Sequence, residues 1–261
     1  MKLRNPAPTI GAILTLLSLF VSLPLDRAVS QDKPTYRPTG EESSLVGVIF
    51  FAGMPPERRR LDMSADPVCE TVNPEAATED VMVTDGKLAN VLVYARTGNT
   101  LDTFQFDLTT AKVNLEYKGC QFVPHVLGIQ TQQVLSIVNS DPTTHNTHAI
   151  PKNNPEWNKS QPPDGPAVEK RFIVEKSFTR PEQSIPIKDN QHPWEKAYIG
   201  VFPHPFFAVS GVDGAYKIAG LPPGQYTIVA WHEKYGEQTF DVTVGSKERK
   251  TLDFTFTFPN N

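Results

Sequence analysis

Two stretches of this chain hold histidines beside residue types that bind metal ions well. Residues 139–146 carry His145 next to an asparagine, and residues 189–195 carry His192 with a carboxylate three positions to either side. Imidazole and carboxylate groups are ligands that Zn²⁺, Mn²⁺, Fe²⁺ and Cu²⁺ accept readily. The residue types therefore permit a divalent metal site, and they leave open that nothing binds there.

A family resemblance relates the two stretches to each other. Residues 119–207 resemble the cupredoxins, nearest to amicyanin and the plastocyanin-like proteins of methylamine utilisation. The matching stretches are residues 122–126, 128–138, 139–146 and 192–194. In that family a His-Asn pair supplies the first copper ligand, and a later loop supplies Cys, His and Met at the spacing of residues 189, 192 and 195. The resemblance implies a Greek-key β-sandwich and a metal site.

The same resemblance assigns a role to four positions. His145 and His192 match the imidazole ligands, whereas Asp189 stands at the thiolate position and Glu195 at the thioether position. A blue site needs that thiolate, so we expect no type 1 copper and no fast electron transfer. The implied set of two imidazoles and two carboxylates suits a non-blue divalent ion (Cu, Zn, Mn or Fe). A degenerate site that binds no metal is the alternative.

Strand patterns dominate the chain from residue 45 onward. Short runs rich in Val, Ile, Phe, Tyr and Thr alternate with clusters of Gly, Pro, Asn and Asp, as in sandwiches and barrels. Near the C-terminus Phe254 and Phe256 fall on one face, and Thr255 and Thr257 fall on the other. No long stretch has a helical period. The sequence therefore predicts an all-β protein.

A second resemblance covers residues 206–258. An Asp-Gly turn at residues 213–214, an aromatic strand, and a Leu-Pro-Pro-Gly turn at residues 221–224 resemble the carboxypeptidase regulatory-like family. That family has a small transthyretin-like sandwich, also described as a carbohydrate-binding-like fold. Because this tail has too few strands to cover a core, we predict that it combines with residues 44–100.

The predicted organisation is therefore discontinuous. Residues 44–100 plus 206–258 form the regulatory-like sandwich, and residues 101–205 form an inserted cupredoxin-like domain. Two consecutive domains are the alternative. Residues 31–43 are polar and predict a flexible linker. Residues 151–168 hold five prolines and predict a strandless loop, either a lid over the site or a solvated excursion.

The first thirty residues have the pattern of a signal peptide. Lys2 and Arg4 precede an apolar stretch at residues 10–25, and Ala28 and Ser30 frame a small-residue cleavage site. The apolar stretch is shorter than the ~20 residues of a membrane-spanning helix, which disfavours an anchor. We expect cleavage near Ser30, a periplasmic or secreted location, and no transmembrane segment in the mature chain.

The chain has two cysteines, Cys69 and Cys120. In an exported chain an even pair favours one structural disulfide. Two copper thiolates are the alternative, but neither cysteine lies in the ligand loop.

The charge balance and the lack of known catalytic motifs reduce the number of function classes to consider. With 25 basic and 29 acidic residues, the chain lacks the excess of basic residues that is typical of nucleic-acid-binding proteins. We find no catalytic motif and expect no enzyme. The first hypothesis is an exported binding or accessory protein with an altered metal site, with a periplasmic protein as its partner. The second is a carbohydrate-binding or surface-interaction module that uses Tyr226 and Trp231 to bind a cell-surface glycan.

Overall fold

The computed structural model describes residues 1–2, 33–165 and 172–257 of the chain. Apart from residues 1–2, the predicted signal peptide and its cleavage site at Ser30 lie outside the described residues. The chain divides into two compact units, Met1–Asp32 and Lys33–Asn261, and the second contains every strand and helix described below. Within the described ranges no helix is long and apolar enough to cross a membrane.

Nearly all of the regular secondary structure in the described residues is β-strand, which confirms the predicted all-β fold. The strands and helices are, in chain order, β1 (Ser43–Ala52), α1 (Pro67–Val72), β2 (Val83–Thr84), β3 (Lys87–Leu88), β4 (Leu92–Gly98), α2 (Asn99–Thr103), β5 (Val113–Tyr117), β6 (Phe122–Val123), β7 (Val126–Gln130), β8 (Leu135–Asn139), β9 (His145–Ala149), β10 (Trp157–Gln161), β11 (Ile173–Lys176), β12 (Glu182–Asp189), β13 (Lys196–Phe202), β14 (Phe207–Val209), β15 (Ala215–Leu221), β16 (Gly224–His232), β17 (Gly236–Val244), β18 (Arg249–Thr251) and β19 (Phe254–Thr257).

The first pair of sheets joins the N-terminal and C-terminal strands. One sheet has the order β15-β1-β3-β2, with β18 and β19 also paired to β1, and the other has the order β14-β4-β16-β17. Between them lies a core that includes Leu45, Ile49, Val93, Ile228 and Phe254. As the alternation predicts, Phe254 and Phe256 point into this core while their threonine neighbours are exposed.

Strands β5 to β13 form two further sheets. Their orders are β10-β9-β12-β13-β7 and β11-β8-β5-β6. They enclose a second core that includes Leu115, Ile137, Ile187 and Ile199. The domain boundaries near residues 100 and 205 stay a prediction.

The two pairs of sheets approach each other closely along β7 and β13. Gly200 pairs with Gly128 across these strands. A Cβ atom on Gly200 would lie 2.5 Å from the side chain of Leu92, and one on Gly128 would lie 2.4 Å from Phe207. The glycines therefore let β4 and β14 pack directly onto the second pair of sheets, where Leu92 and Val229 are fully buried.

Two segments differ from their predicted description. The prediction of a strandless loop at residues 151–168 is wrong, because β10 forms there and pairs antiparallel with β9. Its residues are mostly polar and lie at a sheet edge, so it lacks the apolar alternation that identifies a strand. Within the predicted linker, Tyr36 bonds through its backbone to Gln105 and packs against Phe104 and Phe106.

Candidate metal centre

The two histidine stretches meet at one end of the second pair of sheets. His145 opens β9 and Asp189 ends β12, and these strands are antiparallel neighbours in which Asp189 faces Thr147. The loop after Asp189 returns the chain into β13. The Asp189 carboxylate shapes this loop, since its Oδ1 accepts the backbone N–H groups of Gln191 at 2.6 Å and His192 at 3.0 Å. Such a local turn is a common role of aspartate.

Four side chains converge at this loop. The Nδ1 atom of His145 lies 3.3 Å from Asp189 Oδ2, 3.1 Å from His192 Nδ1 and 3.3 Å from Glu195 Oε1. His192 Nδ1 lies 3.4 Å from Asp189 Oδ2 and 3.6 Å from Glu195 Oε1. All four residues are buried, with at most 4% of their surface exposed. The structure thus brings together the four residues that the resemblance singled out.

The second nitrogen of each imidazole meets a further carboxylate. His145 Nε2 lies 3.1 Å from Asp141 Oδ2, and His192 Nε2 lies 3.0 Å from Asp66 Oδ2. An N–H donated to each aspartate leaves the Nδ1 lone pair facing the other ligand atoms, which is the tautomer that metal-bound histidines use. The ring of Tyr117 stacks on His145 with centroids 4.2 Å apart and fixes the plane of that imidazole.

Glu195 is the least satisfied member of the group. Neither of its carboxylate oxygens has a hydrogen-bond donor among the described residues, because His145 Nδ1 is close but not aligned. Burial of a carboxylate without a hydrogen-bond donor lowers the stability of the folded chain. A metal ion is a partner that supplies no proton and needs oxygen and nitrogen lone pairs from several directions, so the orphaned carboxylate and the two Nδ1 atoms fit a cation.

The electrostatics of the metal-free chain reflect the crowding of charges. Burial raises the pKa of Glu195 to about 7, against the lowering effect of His145. Burial by itself lowers the pKa of His145, but the carboxylates that hydrogen-bond to it, led by Asp141, raise that pKa to about 11. Protons and a divalent cation therefore compete for the same lone pairs.

The predicted disulfide between Cys69 and Cys120 is present, with Cα atoms 5.5 Å apart. It belongs to a small buried cluster with Met63 and Ala76, against which Trp194 of the ligand loop packs. Trp194 Nε1 donates to the backbone carbonyl of Cys120 at 3.1 Å. The disulfide thus covers the ligand loop, and its sulfurs are not free thiolates.

The next histidine along the chain, His148, is not part of the converging group. His148 points away from the site and lies 2.6 Å from Glu156, as expected for a residue three positions from His145 on a strand. Sequence reasoning missed the role of Asp66, which lies 126 positions from His192. Asp66 caps a short helix by accepting the Val68 N–H. That local role explains the aspartate by itself, so the sequence does not indicate its contact with His192.

Comparisons with known proteins find one family model and several solved structures similar to parts of this chain. The family model of the carboxypeptidase regulatory-like domain matches residues 187–257. Among solved structures, a Cu-containing nitrite reductase (NirK) from Thermus scotoductus SA-01 is 23% identical with a TM-score of 0.30, covering 36% of this chain and 23% of its own. A purple cupredoxin from Nitrosopumilus maritimus is 18% identical with a TM-score of 0.27, covering 34% and 98%.

An oxidised amicyanin carrying a single substitution is 12% identical with a TM-score of 0.28, covering 36% of this chain and 86% of its own. The match spans less than a quarter of the nitrite reductase. A comparison with curated proteins finds no match. The family match therefore covers residues 187–257, and the likeness to the solved copper proteins is partial.

Proposed function

We propose that this chain is an exported accessory protein that binds one divalent metal ion through His145, Asp189, His192 and Glu195, and that it does not carry electrons. One observation carries the proposal: four buried side chains bring their ligand atoms together. One of them, Glu195, has no hydrogen-bond donor for its carboxylate among the described residues. Export is supported by the N-terminal sequence pattern and by the disulfide, a feature of oxidising compartments.

The ligand set argues against electron transfer. Without a thiolate ligand a copper ion lacks the covalent bond on which blue-copper electron transfer depends. All four side chains are buried, and Glu195 also borders a cavity that Trp194 and His125 line. A bound ion would supply positive charge between Asp189 and Glu195 and would hold β9, β12 and the ligand loop together.

A glycan-binding role has less support. Tyr226 is only 2% exposed and donates its hydroxyl to the carbonyl of Pro222 at 2.7 Å. Trp231 packs edge-to-face against Tyr198, with ring centroids 5.3 Å apart. Tyr226 therefore offers no free face on which a sugar could stack, and Trp231 is only partly exposed.

Metal titration of the mature chain tests the proposal. The protein is stripped with a chelator, and its unfolding is followed with added Zn²⁺, Co²⁺, Mn²⁺ or Cu²⁺. An ion at a hundredfold excess over its dissociation constant should raise the free energy of unfolding by about 2.7 kcal/mol. His192→Ala should abolish that gain, whereas the matched variant His148→Ala should keep it. If no ion stabilises the wild type, the proposal is wrong.

A further inference from the structure

The separations between the four ligand atoms specify a coordination geometry. Five of the six pairs lie between 3.1 and 3.6 Å. In a regular tetrahedron the corners are about 1.6 times as far from each other as from the centre. Metal–ligand bonds of about 2.0–2.1 Å, the values for zinc with nitrogen and oxygen, therefore predict corners about 3.3–3.4 Å apart. The observed separations centre on that value.

Other geometries give different separations. At the same bond length a square-planar site places neighbouring ligands about 2.9 Å apart and opposite ligands about 4 Å apart, the arrangement suited to Cu²⁺. An octahedral site, preferred by Mg²⁺ and Mn²⁺, gives nearly the same two values and needs six donors. Five pairs between 3.1 and 3.6 Å exclude the two long opposite pairs of a square-planar site; the sixth pair, between Asp189 and Glu195, lies within 4.8 Å.

The number of donors agrees with the geometry. The two nearest additional carboxylates, Asp66 and Asp141, contact the Nε2 atoms on the far side of each ring. They therefore cannot reach an ion held at Nδ1. Trp194, Tyr117 and the disulfide cover the group. The site has four donors and no exposed ligand, as in closed structural zinc sites.

Asp66 and Asp141 are themselves held firmly. Asp141 accepts the backbone N–H groups of Gly119 at 2.7 Å and Cys120 at 2.8 Å. Asp66 accepts the hydroxyl of Thr143 at 2.8 Å and the Val68 N–H at 2.9 Å. Because the disulfide joins the segments that carry these contacts, it fixes the two aspartates relative to each other. Each aspartate then sets the orientation of one histidine ligand.

We infer that the site is a closed tetrahedral Zn²⁺ site in which Asp66 and Asp141 are positioning residues for the two histidines. The inference rests on the proposed function and adds to it the identity of the ion and the role of two carboxylates. Mn²⁺ and Mg²⁺ bind much more weakly than Zn²⁺ because four donors in this arrangement leave an octahedral ion incomplete.

Cobalt substitution tests the geometry independently of affinity. Co²⁺ added to the stripped full-length mature protein should give the strong visible absorption of a tetrahedral ion, and one equivalent of Zn²⁺ should abolish it. A faint octahedral spectrum, or Mn²⁺ binding as tight as Zn²⁺, would overturn the inference while leaving metal binding intact. Failure of every ion to bind would remove the proposed function as well, so the two failures are distinguishable.

Two asparagine variants test the positioning residues. Asp66→Asn keeps a good helix N-cap but removes the charge that orients His192. We expect a loss of about 10–100-fold in Zn²⁺ affinity, with the metal-free chain still folded. Asp141→Asn should act similarly on His145. The control Asp62→Asn alters an exposed carboxylate that, among the described residues, bonds to Ser64, and it should leave the affinity unchanged. If Asp66→Asn and Asp141→Asn bind Zn²⁺ as tightly as the control Asp62→Asn does, the positioning role is refuted.

Discussion

Replacement of Glu195 by leucine should separate the stability of the chain from its metal binding. The Glu195 carboxylate is buried without a hydrogen-bond donor among the described residues. Leucine has a similar size and needs no donor. We expect Glu195→Leu to make the metal-free protein more stable and to abolish its stabilisation by Zn²⁺.

The expected magnitude follows from the electrostatics. Burial raises the pKa of Glu195 from 4.5 to about 7, and a difference of that size corresponds to about 3 kcal/mol against the ionised form in the folded state. The cost of an unsatisfied buried group, about 1–3 kcal/mol, is comparable. The variant should therefore gain about 1–3 kcal/mol at pH 8. Because the folded pKa is raised, the unfavourable contribution is absent below pH 4.5 and grows as the pH rises to about 7.

Urea unfolding with a chelator and with excess Zn²⁺, at pH 8 and pH 5, measures both effects. The matched control is Glu182→Leu, because Glu182 is also buried but accepts the N–H groups of Lys152 at 2.6 Å and Asn153 at 2.9 Å. That variant should lose stability and keep its response to Zn²⁺. If Glu195→Leu destabilises the metal-free chain as much as Glu182→Leu does, the reasoning about the unsatisfied carboxylate is wrong.

Three other predictions address the ligand loop, the acid response and the contact between the sheets. Asp189→Cys with Glu195→Met should give a strong visible charge-transfer band with Cu²⁺, because residue 189 lies within reach of both imidazoles; the wild type should stay nearly colourless. Burial lowers the pKa of His204 to about 4, so acidification from pH 6.5 to 4 should remove up to about 3 kcal/mol of stability, a loss that His204→Gln reduces in urea unfolding. Gly200→Ala should cost about 1–3 kcal/mol by overpacking against Leu92, measured in the same way.

Each of these has a contrary outcome. A folded but colourless double variant would mean that the loop no longer presents residue 189 to His145. An unchanged acid response in His204→Gln would mean that this histidine titrates normally in the folded chain. Gly165→Ala, where a Cβ would meet nothing within 4 Å, is the control for Gly200→Ala, and equal stabilities of the two variants would contradict the packing argument.

The sequence predicts some features of this protein much better than others. The inward-facing Phe254 and Phe256 follow directly from alternation, because a strand with one buried face leaves a period of two. The convergence of His145 with the later loop was accessible only by resemblance, since no local pattern relates residues 44 positions apart. Whether a metal binds there stays a prediction.

The contacts that sequence reasoning missed are those created by tertiary packing alone. The residues around Asp66 indicate a helix N-cap. They do not indicate that its second carboxylate oxygen contacts His192. Strand β10 was missed because an edge strand needs no apolar face, and its pairing with β9 is made by the backbone. In both cases the information lies in another segment of the chain.

The pairing of β1 has a consequence for how the chain folds. Leu45 lies opposite Ile218 on one side and Lys250 on the other, so the first strand has its main partners near the far end of the sequence. Contacts of such long separation form slowly because a large loop must close first. Strands β5 to β13 find their partners among themselves, so they should assemble while β1 still has open edges. A newly made chain is therefore most prone to aggregate before its last few strands have been synthesised. Removal of β15 to β19 should leave the backbone N–H and C=O groups of β1 unpaired, so that they can pair with another chain.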